Sequence, residues 1–405
     1  MKEKLIKALT LDVKKDGWKK TGFVMRSVPM PVLDEKKNPS DATSVILKIR
    51  YAGVCGSDRG IWYRTAWKDW IHSSLKKENK TMRITGHEFV GEIVAAGSMV
   101  KSLYYDTDPK NKAKIEVGSM VSGDSHVTCG RCYQCRIGEQ HVCLNQSILG
   151  ISIDGIFAEY VKIPVKNLWA VDESRLRPEI AAIYDPFGNA VHATTTVDFR
   201  GQRVAIFGCG PIGLFSILLA RNFGAAKIIA IDISKESLKM AKKLGAHETI
   251  LIPQNNKFAK KKFPYEVDRP VIDQIMKLTY GKGVDISMEM AGAFSSVNNA
   301  IDSTRMGGNI IFFGIKDGDL TIPRFSPRLI ARGITIHNII GRQIFRTWQI
   351  AQRILNDKSN GIQNAIWNVI LKKGKGTILS FKDFTPKSFE KAMSKNPKII
   401  FKING

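Results

Sequence analysis

The segment RVAIFGCGPIGLFSILLARNFG, residues 203–224, constrains this chain more than any other. An apolar run ends in Gly208, Gly210 and Gly213 at the spacing GxGxxG, and an apolar-periodic helical segment opens on the same loop, which Pro211 and Ile212 complete. The first glycine permits a tight turn, the second lets a pyrophosphate approach the backbone, and the third lets helix and strand pack closely. The helix N-terminus then faces the phosphate charge. A glycine triplet alone says little, because glycine-rich turns are common. Here the next apolar run, KIIAID, ends at Asp232, nineteen residues beyond Gly213, where a carboxylate accepts ribose hydroxyls. A carboxylate at that point bonds the free 2′-hydroxyl of NAD and repels the 2′-phosphate of NADP, so NAD is the expected cofactor, with Lys235 near enough to soften the charge. Cys209, inside the loop, reads as a small filler without chemistry.

Around this fingerprint, strands and helices alternate: KIIAID, KESLKMAKKLG, ETILI, VDISMEMAG, SVNNAIDSTRMGG and NIIFFG. Alternation of this kind predicts a parallel sheet wound on both faces by helices, an α/β domain. Before Pro178 the pattern differs. Short alternating runs, broken by Pro29, Pro31 and Pro39 and continuing through SVILKIRYAG, GHEFVGEIVAAG and IFAEYVKIPVKNLWAV, predict antiparallel β structure. PEIAAIYDPFGNAVHATTTV has helical spacing, with Pro186 and Gly188 expected to break it. The text after Gly341 is helical at FRTWQIAQRIL and then mixed, so the last sixty residues are expected to rejoin the first domain. The expected division is therefore 1–189 with 341–405 and 190–340. A length of 405 residues suits two or three domains, and 43% hydrophobic with 24% charged residues excludes disordered, collagenous and coiled-coil chains. No window resembles a membrane span, and the first residues lack a signal-peptide core, so a cytoplasmic protein without a membrane partner is expected.

Four of the six cysteines, Cys129, Cys132, Cys135 and Cys143, read C-x2-C-x2-C-x7-C. In a large intracellular chain such a cluster points to metal before disulfides. Four thiolates satisfy a tetrahedral zinc with no outside ligand, the closed geometry of a structural site. A ferredoxin-type cluster fits less well, because the later spacing and the absence of a Cys-Pro step do not match. The formal charge of +25 is spread along the chain, with short lysine concentrations at 76–80, 110–114 and 257–262. It reads as a solvated lysine-rich surface and not as one nucleic-acid-binding face.

A second constellation is looser. Cys55 lies in GVCGSD, and His87 and Glu88 lie in GHEFVGE, each beside a glycine turn. Thiolate, imidazole and carboxylate together make an open zinc site that leaves a position for water or a substrate oxygen. Singly, Cys55 could be a buried hydrophobe, His87 a core histidine and Glu88 a surface charge. Their presence beside a nucleotide fingerprint and a four-cysteine cluster tips the reading toward a catalytic site.

The succession GVCGSD, GHEFVGE, CGRCYQCRIGEQHVC, GIFAEY, DPFGNAV, GCGPIG and the Asp of KIIAID resembles the zinc-dependent medium-chain alcohol dehydrogenases over nearly the whole chain. Within that family DGIFAEY, GVDISMEMAGA and GRQIFRTWQIAQRIL resemble its threonine-dehydrogenase branch. The resemblance implies a GroES-like antiparallel β catalytic domain joined to a Rossmann coenzyme domain. It implies one catalytic and one structural zinc, a small alcohol substrate, no nucleic-acid partner and a homo-oligomer, a tetramer or dimer. Cys55, His87 and Glu88 map onto the catalytic zinc ligands. Asp185 falls where relatives have a glutamate at the metal and, one methylene shorter, would ligate directly or through water. Asp58 maps onto the carboxylate that fixes the His87 tautomer, and Ser57 onto the hydroxyl that passes the alcohol proton outward. His126 matches a histidine near the substrate pocket, or is a plain loop histidine.

Two departures from that branch bear on substrate. Gly60 stands where it carries a histidine relay, so the relay would end at water or His72, or the substrate differs. The stretches 68–81 and 101–114 and the lysine-rich segment near 260 are longer than in relatives. The activity implied is hydride transfer from a secondary alcohol to NAD, with L-threonine giving 2-amino-3-oxobutanoate. The alternatives are a polyol, sugar or other secondary alcohol and, from another class, a non-catalytic zinc- or nucleic-acid-binding protein on the same fold.

Overall fold

A computed structural model of the chain describes residues 4–103, 114–253, 263–314 and 318–404. The lysine concentration at 257–262, and all but Lys114 of that at 110–114, lie outside the described residues, as does most of the stretch 101–114. The chain forms two units, Met1–Asp185 with Gln352–Gly405, and Pro186–Ala351. The breaks stand at 185/186 and 351/352, where 189/190 and 340/341 were expected.

The first unit is built on antiparallel pairing. Three strands order as Val24–Pro29, Leu5–Asp12 and Met82–Ile84. A larger sheet runs Leu168–Ala170, Met120–Gly123, Glu88–Ala96, Ser44–Gly53, Ile400–Lys402 and Ile378–Ser380, with Tyr160–Pro164 paired to the Ser44 end of the long strand. Ser44–Gly53 is the axis of the unit. Its Val45, Leu47, Ile49 and Ala52 are buried in one core with Phe89, Ile93, Phe157 and Phe401, the aromatic members each contributing a few kcal/mol of burial. The C-terminal residues do rejoin this unit: Ile400–Lys402 pairs antiparallel with Tyr51–Gly53. One pair departs from the expected pattern. Ile378–Ser380 and Ile400–Lys402 run parallel, which their crossover helix Pro386–Lys395 requires.

The expected break at Pro186 and Gly188 does not occur. A helix runs through both, Tyr184–Thr194, and the interruption falls earlier, after Pro178–Ala181. Starting at Tyr184 places Pro186 in the first turn, where its missing N–H would have had no intrahelical partner. Gly188 is spared a side chain because Arg342 packs there, its Cδ 3.3 Å from where a Cβ would stand.

The second unit is a six-stranded parallel sheet in the order Glu248–Leu251, Lys227–Asp232, Arg203–Phe207, Val284–Glu289, Thr304–Phe312 and Thr335–Asn338. Numbered along the unit this is 3-2-1-4-5-6, the doubly wound Rossmann order, and it reverses between the first and fourth strands. The fingerprint helix Pro211–Asn222 is buried continuously from Gly213 to Ala220, hence its nearly unbroken apolar sequence. Helix Lys235–Leu244 is amphipathic, starts at a Ser234 hydroxyl that accepts from the Ser237 N–H at 3.2 Å, and stops at Gly245 with φ +113°. The Ser234 cap contributes about 1 kcal/mol. No helix among the described residues is long and apolar enough to cross a membrane.

Candidate active site and metal centres

The four cysteines predicted to meet do meet. Every pair of their Sγ atoms lies within 4.8 Å, with Cys143 to Cys129 at 3.5 Å and Cys132 to Cys143 at 3.8 Å. A tetrahedral ion with bonds of about 2.3 Å spaces its sulfurs about 3.8 Å apart, so the donors fit one zinc. A multi-iron cluster, with thiolates on different irons, needs them further apart. The backbone prepares the site: the amides of Arg131 and Cys132 bring the Cys129 thiol down to about 6, while burial pushes Cys135 up to about 12. The turns come from Gly130 and Gly138, both at positive φ.

The second constellation is assembled by sheet register. Gly53 ends one strand and pairs with Glu88, which begins its antiparallel neighbour. Residues 54–55 leaving the first strand and His87 entering the second are therefore side by side, and ligand atoms of Cys55, His87 and Glu88 lie within 4.8 Å of one another. Cys55 also precedes the helix Gly56–Trp62, where the carboxylate of Asp58 accepts the Cys55 N–H at 2.9 Å. That bond locks the turn that aims both side chains. The other oxygen of Asp58 faces Nδ1 of His87 at 3.6 Å, and the Ser57 hydroxyl lies 3.2 Å from Nε2.

Asp58 and Glu88 are fully buried and His87 is nearly so. Three of their atoms, Asp58 Oδ1, His87 Nδ1 and Glu88 Oε1, lack hydrogen-bond partners among the described residues. Burial pushes the Asp58 and Glu88 carboxyls upward. Burial opposes charge on His87 as well, yet the carboxylate of Asp58 and the thiol of Cys55 push it up to about 10. A thiol and several carboxyls thus crowd one imidazole out of water, an arrangement that a divalent cation neutralises. Soft, borderline and hard donors in one set suit zinc.

Two residues that the sequence did not single out complete this site. Lys398, 1% exposed, donates to the Val54 carbonyl at 2.8 Å and forms an ion pair with Oε2 of Glu88. In a chain with so many lysines, no local signal distinguishes this one. Gly53, the last residue of its strand, makes room: a Cβ there would stand 2.1 Å from Oε2 of Glu88.

Asp185 is buried and accepts from the Ser125 hydroxyl at 2.8 Å. It acts electrostatically on His87 and Glu88, but is not among the three residues whose ligand atoms converge. Next to Ser125, His126 is partly buried, with its N–H donated to Asp124 at 2.8 Å and its Nδ1 3.5 Å from the same carboxylate. Gly60 is packed against Ala66, whose Cβ would lie 2.9 Å from a Cβ at position 60, so a histidine there requires a shift. His72 packs edge-on to Trp18 at 5.6 Å. The segment 68–81 contributes a helix, Lys68–Lys77, anchored by buried Ile71 and Leu75.

In the second unit Gly208 has φ +98°, and a Cβ on Gly213 would stand 1.9 Å from the Gly208 carbonyl, so neither position admits a side chain. Nothing lies within 4 Å of where a Cβ on Gly210 would be, which leaves that backbone approachable. Pro211 and Ile212 open the helix. Asp232 is tied to this loop: Oδ2 accepts the Cys209 N–H at 2.6 Å and Oδ1 the Ser234 N–H at 2.7 Å.

Comparison with known proteins adds an independent line. Residues 41–173 match the model of the alcohol dehydrogenase GroES-like domain, and residues 211–357 that of the zinc-binding dehydrogenases. The chain is 34% identical to the L-threonine 3-dehydrogenase of Bacillus subtilis over 84% of its length and 86% of that protein. It is 35% identical to that of Caldanaerobacter subterraneus over 77% of its length and 80% of that protein. Among solved structures, a Sinorhizobium meliloti protein bound to NADP superposes with TM-score 0.73 at 22% identity, over 99% of this chain and all of that one. An Escherichia coli alcohol dehydrogenase complexed with NADH does so with TM-score 0.70 at 22% identity, over 98% and 99%.

Proposed function

Because the chain belongs to the zinc-binding dehydrogenases that carry a GroES-like alcohol dehydrogenase domain, we propose that it oxidises the C3 hydroxyl of L-threonine with NAD, giving 2-amino-3-oxobutanoate. The observation that carries this reading is the convergence of Cys55, His87 and Glu88 in a chain whose other unit bears the dinucleotide fingerprint. The choice of threonine is supported by the similarity to L-threonine 3-dehydrogenases over most of the chain. The choice of NAD is supported by Asp232, which ends the second strand of the parallel sheet. The fold alone does not decide between cofactors, since it is shared by structures holding NADP and NADH.

Cys55, His87 and Glu88 would hold the catalytic zinc, and Cys129, Cys132, Cys135 and Cys143 the structural one. A bound zinc supplies Lewis acidity that lowers the pKa of the substrate hydroxyl. The Asp58 carboxylate, 3.6 Å from Nδ1 of His87, favours the proton on that nitrogen electrostatically and so keeps Nε2 available on the side of Ser57. Ser57, beside Nε2, receives the hydroxyl proton and passes it to water. The glycine loop 208–213 and Asp232 would hold NAD, whose nicotinamide would supply the acceptor for the hydride and the two electrons that the alcohol loses. Asp185 assists from outside the three ligands, held by Ser125, and His126 borders the substrate. The reading includes a cytoplasmic location, supported by six cysteines outside any disulfide, and a homo-oligomer of two or four subunits.

Gly60 favours a second reading. With glycine at this position, where a side chain would have to displace Ala66, the proton path of the threonine branch is shortened, which favours a polyol or other secondary alcohol as substrate. Purified protein assayed with NAD and a panel of alcohols, with and without a chelator, tests both. Threonine turnover that a chelator abolishes and zinc restores is expected. Turnover of sorbitol without threonine would replace the first reading by the second.

A further inference from the structure

At the C-terminal edge of the parallel sheet, Phe207 and Glu289 are paired on the two strands between which the order reverses. Glu289 is fully buried. Its Oε1 accepts the N–H groups of Ala291 at 3.0 Å and Gly292 at 2.9 Å, successive amides just before the helix Phe294–Ser303. Its Oε2 and the hydroxyl of Ser296 make no hydrogen bond of close geometry, but the hydroxyl and the Ala293 amide both interact with this carboxyl and favour its charged form.

The same residue stitches the neighbouring strand ends through its backbone. Its carbonyl accepts from Phe313 at 3.0 Å and Gly314 at 3.1 Å, and the next amide, Met290, donates to Phe207 at 2.8 Å. Glycines make the approach possible. A Cβ on Gly208 would stand 2.8 Å from the Ala291 nitrogen, and one on Gly314 would stand 2.1 Å from the Gly292 nitrogen and 2.5 Å from Oε2 of Glu289. Three strand ends are thus gathered around one carboxyl. A cavity of about 240 Å³, lined by Gly314 with Phe312, Phe313, Asn338, Ile339 and Ile340, opens at the same edge.

A helix cap accounts for the amides and the Ser296 hydroxyl around this carboxyl. It does not account for the glycine loop and the neighbouring strand ends closing on the same residue at the point where a dinucleotide crosses such a sheet. We propose that Glu289 is a positioning residue for the cofactor, holding the glycine loop and the two strand ends under the nicotinamide half in one fixed arrangement. The inference rests on the dinucleotide reading above. It predicts a split within the cofactor, because the adenosine half is served by Asp232 on the other side of the reversal.

The test compares full-length parent protein with Glu289→Gln, Glu289→Met and Gly314→Ala. NADH binding is read by nicotinamide fluorescence, 5′-AMP binding by displacement, and folding by thermal melting. Glu289→Met deprives the amides of Ala291 and buried Gly292 of their acceptor, so NADH binding should weaken on the order of tenfold, with AMP binding unchanged. Gly314→Ala should give the same split, and Glu289→Gln, which keeps a carbonyl acceptor, should bind close to the parent. Equal losses for NADH and AMP, unchanged binding with a lowered melting temperature, or a Gln variant as impaired as the Met variant would overturn the positioning role. Should Glu289→Met not fold, Gly314→Ala decides by the same ratio. Failure of the parent itself to bind NADH would strike the dinucleotide reading instead.

Discussion

The four-cysteine lobe and the Cys55–His87–Glu88 centre solve the same problem in opposite ways. The lobe takes four identical donors from fifteen consecutive residues and relies on local backbone: Gly130, Gly138 and the amides that lower Cys129. The centre takes three different donors from two strand ends and buries two of them, His87 and Glu88, among carboxyls. It needs Asp58 from a helix, Lys398 from the far end of the chain and the missing side chain of Gly53. A closed set of like ligands stabilises. An open set, asymmetric and costly to bury, suits chemistry.

The largest effect that could break this comparison is expected at the centre. Cys55→Ser or His87→Ala should lower turnover by at least about a thousandfold, with the melting temperature little changed. Retention of a tenth of the parent rate by both variants would remove the centre from the mechanism. Next comes Lys398→Met, which leaves Glu88 uncompensated in a buried site and should cost about 3 kcal/mol in chelated protein, and less when zinc is restored. Denaturant melts with and without zinc measure that difference, and its absence would uncouple Lys398 from the metal. At the lobe, Cys132→Ser should lower stability by about 2 kcal/mol and release one zinc per chain in a colorimetric assay, while turnover per folded molecule persists. A variant that is stable but inactive would make the lobe catalytic and erase the contrast. Gly53→Ala, by pushing on Glu88, should weaken zinc retention at the centre by about tenfold and leave the lobe's zinc in place, as competition with a chelator would report. The smallest effect belongs to His72→Phe. The ring would still pack on Trp18, so turnover should stay within about twofold of the parent. A larger loss would make His72 the end of the proton path.

Legibility followed locality. The lobe could be read from spacing alone, because its ligands are a few residues apart and any compact loop brings them together. The glycine fingerprint, the strand ending at Asp232 and the alternation that builds the parallel sheet were equally plain, since each depends on neighbours in sequence. The helix through Pro186 was misread because the penalty for proline vanishes in a first turn, and the sequence does not mark where that turn begins. The parallel pairing of Ile378–Ser380 with Ile400–Lys402 was hidden because three-residue strands carry too little periodicity to show direction.

The amino-acid order by itself determined the two kinds of unit, the four-thiolate cluster and the dinucleotide loop, because turn chemistry, apolar period and ligand spacing act within about twenty residues. Tertiary structure alone decided that Lys398 faces Glu88, that Gly53 is a glycine for want of space, and that Glu289 stands where three strand ends meet. Those facts arise from pairing between segments far apart in the chain. The physical reason is that burial removes water from a polar group and leaves its fate to whichever distant residue the sheet brings beside it.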